Sequence, residues 1–460
     1  MAGGNLSRVG GPARRVVVVG AGLAGLRAAW GLARRGIEVV VLERRSTAGG
    51  RAGSAPDPRT GEPVDTGQHA FMRCYRETER WLGALGTWKL VRFQDRLDIL
   101  HVEEGRPAIR LVAGSFPGPL SLFGAVMGLK GVRLADRLAA IRLAGSLRPS
   151  AFLDSLTVEA WEDRQGIPGP LRRYLLHPLA SAALNEDPSR ASALPLARVL
   201  GILAWGGGRA AAVGLSSVGL SDLYVEPVRG ILEAGGGRLE TGAWATKVIG
   251  RPGGAGTAGV VGVEMANGEA LEADAVVLAV PPWDLAPLLA AEAGFAAVAA
   301  KAASFEASPV LTLHLWWDRE VAPASMVGLQ GSPFDWLFSR TRSVGAGREG
   351  GEHVCLVKSG ARELLGRKPD DLGPYGAEEV RRLFPATRAA RVTGSRVVWE
   401  TKATISLVPG TDAKRPGPLS GVPGVFLAGD WTDTGLPATI EGAVISGARA
   451  ERSVAGRLGR

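Results

Sequence analysis

Cysteine is nearly absent from this sequence: only Cys74 and Cys355 occur among 460 residues. They form no C-x-x-C pair and no cluster with histidine along the chain, so neither a disulfide framework nor a zinc site is predicted. Four of the five histidines show no spacing typical of metal ligands and are interpreted as structural: His101, His177, His314 and His353. We therefore expect no bound metal, and a reducing compartment, the cytoplasm.

Long hydrophobic runs are also absent. No uninterrupted apolar stretch approaches the roughly 20 residues of a membrane-spanning helix. Residues 1–13 lack the apolar core of a signal peptide and are predicted to form a flexible tail. Neither a spanning segment nor a secretory leader is therefore expected.

Acidic residues are fewer than basic ones, with 45 Asp and Glu against 54 Lys and Arg, which gives a formal net charge of +9. The arginines are spread along the whole chain, and no basic cluster is interleaved with aromatic residues, so no nucleic-acid partner is predicted. A diffuse basic surface favours contact with anionic lipid headgroups. The hydrophobic content of 46% and the 22% of charged residues are ordinary for a globular chain of two or three domains.

The most informative stretch covers residues 15–43 and reads as a strand, a glycine turn, a helix and a second strand. The continuous β-branched run at residues 16–19 is typical of a strand buried on both faces of a parallel sheet. Gly20, Gly22 and Gly25 follow at G-x-G-x-x-G spacing. This spacing provides a tight turn, room for a pyrophosphate, and close packing of the helix on the strand.

Residues beside the turn complete a predicted dinucleotide site. The helix begins at Leu23 and Ala24, where unpaired N–H groups and the positive end of the helix dipole favour an anion. Glu43 ends the second strand and can accept hydrogen bonds from a ribose hydroxyl. The adjacent Arg44 is included in the predicted cofactor-binding site. A second glycine pattern, around residues 254–259, follows Pro252 and precedes a strand instead of a helix. It is interpreted as a hairpin turn.

A glycine pair and an arginine follow the acidic residue, with Gly50 and Arg51 in the segment RRSTAGGRAG. Glycines let the chain pass close to a dinucleotide, and the planar Arg51 fork suits a phosphate or a flavin. The alternative is a glycine-rich loop with an exposed arginine. The complete unit, ending in GGR, resembles the FAD-dependent amine oxidase and carotenoid desaturase superfamily.

Further motifs narrow this resemblance. The segments at residues 64–76 (VDTGQHAFMRCYR) and 425–450 are similar to those of the hydroxysqualene dehydroxylases of hopanoid biosynthesis. Shorter matches extend the resemblance over nearly the whole chain, at residues 183–185, 220–223, 336–338 and 399–404.

The resemblance implies an α/β architecture with a Rossmann-like FAD-binding domain and a discontinuous substrate domain. The FAD-binding domain is expected from residues 14–100, 215–290 and 415–460. The substrate domain is expected from residues 101–214 and 291–414, with an antiparallel sheet in its second part and a helical insertion at 101–214.

Within the insertion, residues 120–147 are apolar on one side and carry Lys130, Arg133, Arg137 and Arg142. This pattern predicts a basic amphipathic helix, and one interpretation is that it lies on a membrane and admits a lipid substrate. Packing of the same helix on the protein core is the alternative. The expected location is cytoplasmic, peripheral on the inner face of the cell membrane.

The C-terminal motif is predicted to approach the flavin ring. A strand ends at residues 429–430, and a helix with small residues begins near residue 439; its N–H groups can stabilise negative charge on reduced flavin. The resemblance adds these residues to the candidate FAD-binding set: Gly67, Val248, Gly429, Asp430, Thr439, Ile440, Gly442 and Ala443.

The chemistry that the resemblance implies is reductive removal of the hydroxyl of hydroxysqualene, a long apolar isoprenoid, to give squalene. His69 is the candidate general acid, and Gln68 or Glu441 would orient the hydroxyl. A structural hydrogen bond in the turn is the alternative for His69. Because no second convincing dinucleotide pattern occurs, the reductant is expected to be transiently bound NAD(P)H or another reductase.

Two other functions stay open. One is oxidative chemistry on the same scaffold, as in a carotenoid or phytoene-type desaturase or an amine oxidase. The other is a flavin-binding or membrane-associated protein without catalysis.

Overall fold

The computed structural model describes residues 14–114, 118–129, 132–251, 259–289, 293–345 and 351–460. The predicted flexible tail at residues 1–13 lies outside the described residues. So do residues 252–258, which hold most of the second glycine pattern, although the strands on either side of them pair antiparallel.

Strands occur throughout the described chain. They are β1 (Arg15–Val19), β2 (Glu38–Glu43), β3 (Ser54–Pro56), β4 (Pro63–Asp65), β5 (Phe71–Met72), β6 (Val91–Phe93), β7 (Asp98–Glu103), β8 (Ile109–Val112), β9 (Val213–Ser216), β10 (Arg238–Thr241), β11 (Ala245–Arg251), β12 (Gly259–Met265), β13 (Ala270–Glu272), β14 (Ala275–Leu278), β15 (Ala307–Trp317), β16 (Met326–Gln330), β17 (Trp336–Ser339), β18 (Glu352–Ser359), β19 (Val392–Ile405) and β20 (Val425–Leu427).

Helices cover the parallel sheet and fill the insertion. They are α1 (Leu23–Ala33), α2 (Arg76–Leu85), α3 (Pro119–Met127), α4 (Leu134–Gly145), α5 (Ala151–Asp154), α6 (Val158–Arg164), α7 (Gly169–Leu171), α8 (His177–Leu184), α9 (Ala193–Ala210), α10 (Leu220–Ala234), α11 (Pro282–Leu289), α12 (Ala296–Ala303), α13 (Arg340–Val344), α14 (Pro369–Leu383) and α15 (Ile440–Leu458).

A five-stranded parallel sheet organises the first domain, in the order β10-β2-β1-β14-β20. Its central strands are continuous β-branched runs because both faces are covered. Val16 and Val18 pack with α1, α10 and α15, whereas Val17 and Val19 join the core that contains the β11-β12-β13 sheet. The predicted α/β fold with a Rossmann-like sheet is confirmed.

Helices α1 and α15 approach closely because a glycine lies between them. A Cβ added to Gly447 of α15 would stand 2.3 Å from the backbone oxygen of Ala24 in α1. Arg27 of α1 then pairs with Glu451 of α15 at 3.0 Å and with Glu77 of α2 at 2.9 Å. The two carboxylates compensate the buried guanidinium charge, which would otherwise be costly.

A seven-stranded sheet forms the second domain, in the order β19-β15-β18-β17-β16-β7-β8. Its pairs are antiparallel except β16 with β7, which is parallel. Strands β7 and β8 correct the expectation that residues 101–214 are helical and that residue 100 ends a domain. Strand β7 pairs locally with β8 on one side and with residues of β16 more than 200 positions away on the other, and a half-buried pattern signals such pairing weakly.

The predicted amphipathic helix at residues 120–147 is also wrong in its extent. The segment forms two helices, α3 and α4, since α3 ends at Gly128, and Lys130 lies outside the described residues. The apolar side chains of the segment are divided: Ala125 and Leu143 are buried in the core, while Leu134 and Ile141 are more than half exposed. A search of the described helices found none that combines the length and apolar character of a membrane span.

The buried His101 gives a pH-dependent stability. Its Nδ1 lies 3.1 Å from the Gln330 amide nitrogen, its Nε2 has no hydrogen-bond partner within the described part of the chain, and burial lowers its pKa to about 4. In the unfolded chain a histidine titrates near pH 6.5. The unfolded state therefore binds the proton first, and stability present above pH 6.5 is lost as the pH falls toward 4.

We expect His101→Gln to make the free energy of unfolding less dependent on pH between 6.5 and 4, by about 1.4 kcal/mol per pH unit. Urea titrations at several pH values measure this slope for both proteins. The slopes should coincide between pH 7 and 8, where neither state takes up the proton. Equal slopes in the acid range would contradict a depressed pKa for His101.

Candidate cofactor and substrate site

The three glycines of the first motif have different tasks in the folded chain. Gly20 has a φ of +104°, and a Cβ there would stand 2.6 Å from the Ala279 oxygen; a Cβ on Gly25 would stand 2.0 Å from the Gly20 oxygen. These two positions serve backbone packing. Gly22 differs, because no atom of the described residues lies within 4 Å of its added Cβ, so the open space there can receive a ligand.

The start of α1 is prepared for an anion. Gly22 is the N-cap and supplies no side-chain acceptor, and the first turn contains no acidic residue. Glu43 is buried, and its oxygens accept hydrogen bonds from the N–H groups of Ala21 at 3.0 Å and Arg45 at 2.9 Å. These bonds hold the carboxylate at the rim of the same open space. An uncapped helix end beside an acidic residue fits the phosphates and ribose of a dinucleotide.

The second glycine loop touches the first. Gly49 donates to the Ala21 oxygen at 2.8 Å, and a Cβ on Gly50 would stand 3.3 Å from the Gly22 Cα. Arg51 then donates to the Ala403 oxygen and pairs with Asp430 at 2.8 Å. The ion pair ties the N-terminal motif to the C-terminal motif. It contradicts the alternative that Arg51 is an exposed loop residue, although Arg44 does lie near the surface, paired with Asp284 at 3.0 Å.

Arg415, which the sequence analysis did not identify, holds the loop of the C-terminal motif. Its buried guanidinium donates to the backbone oxygens of Asp430 at 2.9 Å, Thr432 at 2.6 Å and Leu436 at 2.6 Å. Asp412 pairs with it at 3.2 Å. The segment around Arg415 carries no periodic or glycine signal, and the role is visible only once the loop folds over the side chain.

These elements enclose one cavity of about 920 Å³. Sixteen of the predicted site residues line it: Gly20, Gly22, Leu23, Ala24, Glu43, Arg44, Gly50, Arg51, Gly67, Gln68, His69, Gly429, Asp430, Thr439, Ile440 and Ala443. Thr439 caps α15 by accepting a hydrogen bond from the Gly442 N–H at 3.2 Å, which places the N-terminus of that helix against the cavity. The site therefore draws on both ends of the chain.

Four predicted residues do not line the cavity. Val248 is buried in the core of the β11-β12-β13 layer, and its neighbours Ala245 and Thr246 face the cavity instead. Gly25 serves helix packing, as described above. A Cβ on Gly442 would stand 2.7 Å from the Pro437 oxygen, so this glycine accommodates the preceding loop.

Glu441 also turns away from the cavity and caps another helix. Its carboxylate accepts hydrogen bonds from the N–H of Glu77 at 2.8 Å and from both the N–H and the hydroxyl of Thr78, at 2.9 and 2.6 Å. The first N–H groups of a helix have no acceptor within the helix, so a carboxylate that accepts their hydrogen bonds stabilises the start of α2. The prediction that Glu441 orients a substrate hydroxyl is therefore wrong.

His69 and Gln68 line the cavity side by side. His69 Nδ1 lies 2.7 Å from the Gly67 oxygen, so Nδ1 carries the proton and Nε2 has a free lone pair. Burial lowers the pKa of His69, which keeps the ring neutral at pH 7. This geometry favours the alternative that His69 makes a structural hydrogen bond in the turn over the prediction that it acts as the general acid. The side-chain oxygen of Gln68 is buried and has no hydrogen-bond partner among the described residues.

The other end of the cavity is apolar and was not predicted as a site. Its walls come from one face of the seven-stranded sheet, through Val310, Met326, Trp336, Phe338 and Val357. Alternation along β15 and β18 is the signal that could have found them, because residues two apart share one face of a strand.

Gly22→Val is expected to abolish FAD retention without unfolding the chain, because its Cβ meets no atom of the described residues within 4 Å and the side chain occupies the space left for the pyrophosphate. Flavin absorbance relative to protein after purification measures retention, and thermal unfolding measures the fold. Gly417→Val is the matched control, since this exposed glycine also has nothing within 4 Å. A variant at Gly22 that keeps full flavin occupancy would place the dinucleotide elsewhere.

Comparison with known proteins identifies the family of the chain. A family model described as flavin containing amine oxidoreductase matches residues 23–454. Hydroxysqualene dehydroxylase of Rhodopseudomonas palustris is 31% identical over 442 residues, covering 95% of this chain and 97% of that protein. The protein of the same name from Sinorhizobium fredii is 31% identical over 457 residues, with the same coverage. 15-cis-phytoene desaturase of Narcissus pseudonarcissus is 26% identical and covers 95% of this chain and 79% of its own.

Solved structures share the fold. An oxidoreductase from Methanosarcina mazei superposes with a TM-score of 0.72 at 16% identity, covering 94% of this chain and 99% of that one. A redesigned putrescine oxidase gives a TM-score of 0.72 at 16% identity, with coverage of 96% and 99%. The whole-length family match and the two relatives at 31% identity are the stronger observations. The chain belongs to the flavin-containing amine oxidoreductase family and is a FAD-dependent oxidoreductase.

Proposed function

We propose that this oxidoreductase removes the hydroxyl of hydroxysqualene to give squalene in hopanoid or triterpenoid precursor synthesis. One observation carries the proposal: a single cavity runs from the predicted dinucleotide site at Gly22 to an apolar sheet face at Trp336 and Phe338. A long hydrocarbon can lie along that face while its functional carbon reaches the cofactor end. The two relatives at 31% identity carry the name of this activity.

The reaction balances as an alcohol, a proton and a hydride giving a hydrocarbon and water. Reduced FAD, when bound, supplies the hydride. The chain contributes a largely apolar wall through Val310, Phe338 and Val357, although Thr312 and Ser359 also line the cavity. Exclusion of water protects the carbon that loses its hydroxyl from recapture. At the cofactor end, Thr439 caps the N-terminus of α15. The positive end of the helix dipole would therefore stabilise negative charge on a bound cofactor.

Oxidative desaturation is the second candidate. The observation that favours it is the 26% identity to a phytoene desaturase over 95% of this chain, together with an apolar cavity that suits either substrate. The direction of electron flow distinguishes the two: a dehydroxylase consumes reduced flavin, and a desaturase produces it.

We further propose that the reductant of the dehydroxylase is NAD(P)H or a separate reductase.

Anaerobic incubation of the dithionite-reduced flavoprotein with hydroxysqualene is expected to reoxidise the flavin and yield squalene, one molecule per flavin. Absorbance follows the flavin, and mass analysis of the extracted lipid identifies the product. The Gly22→Val variant without flavin is the control and should leave the alcohol unchanged. Flavin that stays reduced while the alcohol survives would overturn the dehydroxylase proposal and favour a desaturase.

We also propose peripheral contact with an anionic membrane at the cytoplasmic inner face of the cell. The surface, here named the insertion patch, consists of exposed apolar side chains on the packed helices α3, α4 and α9: Leu120, Leu134, Leu138, Ile141, Ile202 and Trp205. Arg133 lies beside it with a largely exposed side chain. Apolar side chains rimmed by arginine suit the headgroup boundary of a bilayer.

Flotation with vesicles that contain anionic lipid is expected to carry the wild-type protein upward, more weakly as salt is raised. Leu134→Asp combined with Ile141→Asp should reduce the floated fraction several-fold, because both changes place charge in the insertion patch. Leu419→Asp is the control, an equally exposed leucine outside the insertion. Protein that stays at the bottom with every vesicle composition would remove the membrane proposal.

A further inference from the structure

Two histidines and a cysteine, which show no ligand spacing along the chain, meet inside the fold. His314 Nδ1 lies 3.0 Å from His353 Nε2 and 3.1 Å from Cys355 Sγ, and Cys355 Sγ lies 4.0 Å from His353 Nε2. All three side chains are buried, each at most 1% exposed. Strand register creates the cluster, because His314 of β15 faces Cys355 of β18 directly and Trp316 faces His353.

We propose that His314, His353 and Cys355 form a binding site for one d10 cation, Zn²⁺ or Cu⁺. Imidazole nitrogen and thiolate sulfur are the ligands that these cations prefer. Metal–nitrogen bonds of about 2.1 Å and metal–sulfur bonds of about 2.3 Å at tetrahedral angles separate neighbouring ligand atoms by about 3.4 to 3.6 Å. The observed separations of 3.0 to 4.0 Å bracket those values.

Three polar atoms of the cluster crowd around one point. His314 Nδ1 offers one position in the ring plane, either a lone pair or a proton, and two partners lie within 3.1 Å of it. The His314 ring also has a hydrogen-bond interaction with the Asp65 backbone. A cation placed between the three atoms would accept one lone pair from each of them.

Groups around the cluster are arranged as metal sites require. Trp316 stacks on the His353 ring at 4.3 Å and donates to Glu62 at 3.3 Å, and Glu62 lies 3.8 Å from His353 Nδ1. At that distance the carboxylate acts on the imidazole through its charge and not through a hydrogen bond. The buried Arg340 is compensated by Asp65 at 3.0 Å. The thiolate and Glu62 would neutralise a divalent ion, and its binding would release the thiol proton.

The cluster lies behind the substrate end of the cavity. Thr312 and Val357 line the cavity, and His314 and Cys355 are the next residues on the same faces of the same strands. A cation here would fasten β15 to β18 and stiffen the apolar wall. This role is separate from the proposed reaction, since the predicted dinucleotide site lies at the opposite end of the cavity.

The test measures metal in the flavoprotein as purified and after incubation with Zn²⁺ alone. Wild-type protein is expected to hold one zinc or copper ion per chain, and Cys355→Ala to lose it at least tenfold. Cys74→Ala is the matched control, because this half-buried cysteine lies outside the cluster, and it should bind as wild type does. Equal metal content in wild type and Cys355→Ala, or no metal in wild type, would overturn the proposal.

A second measurement stays decisive if Cys355→Ala does not fold. Wild-type flavoprotein titrated with Co²⁺ should develop thiolate-to-cobalt charge-transfer absorption, recorded as a difference spectrum against the protein before addition. The same absorption in Cys74→Ala assigns it to Cys355. A titration without this absorption contradicts a site that contains the thiolate.

Discussion

Close backbone contact around the glycine turn is the constraint on which the rest of the structure depends. Gly25 sits where a side chain would meet the Gly20 oxygen, and Gly447 sits where a side chain would meet the Ala24 oxygen. These contacts bring α1 and α15 against the parallel sheet, with the uncapped end of α1 aimed at open space. Without them the two ends of the chain could not share one cofactor site.

Buried charge then connects the parts that the glycines bring together. Arg51 links the second glycine loop to Asp430, and Arg415 gathers the carbonyls of the C-terminal loop. Glu441 joins α15 to α2 by capping its first turn. Arg51 and Glu441 find partners more than 300 positions away, and Arg415 finds its carbonyl partners 15 to 21 positions away. Charged side chains inside this domain therefore act as cross-links between segments, and the catalytic chemistry is left to the cofactor.

The cavity joins two different surfaces. Its cofactor end is built from loops and helix ends that follow parallel strands, where ligands bind in open α/β sheets. Its apolar end is one face of a mixed sheet from the second domain. That division matches an oxidoreductase whose flavin is held by backbone and polar groups while an apolar molecule is held by packing. Beyond the apolar wall, the same sheet face carries His314 and Cys355.

The sequence by itself determined the local units of this protein. The β-branched runs, the G-x-G-x-x-G turn, Glu43 and the Thr439 helix start depend on residues within a few positions of one another, so their spacing reveals them. Tertiary structure alone decided four features. They are the hydrogen-bond partners of Glu441, the contacts of Arg415 with the C-terminal loop, the pairing of β7 with β16, and the contact between His314 and Cys355. Those features arise from contacts between residues 15 to more than 200 positions apart. Local periodicity carries no record of such pairing, because the register between distant strands and the packing of helix ends are set by the whole fold.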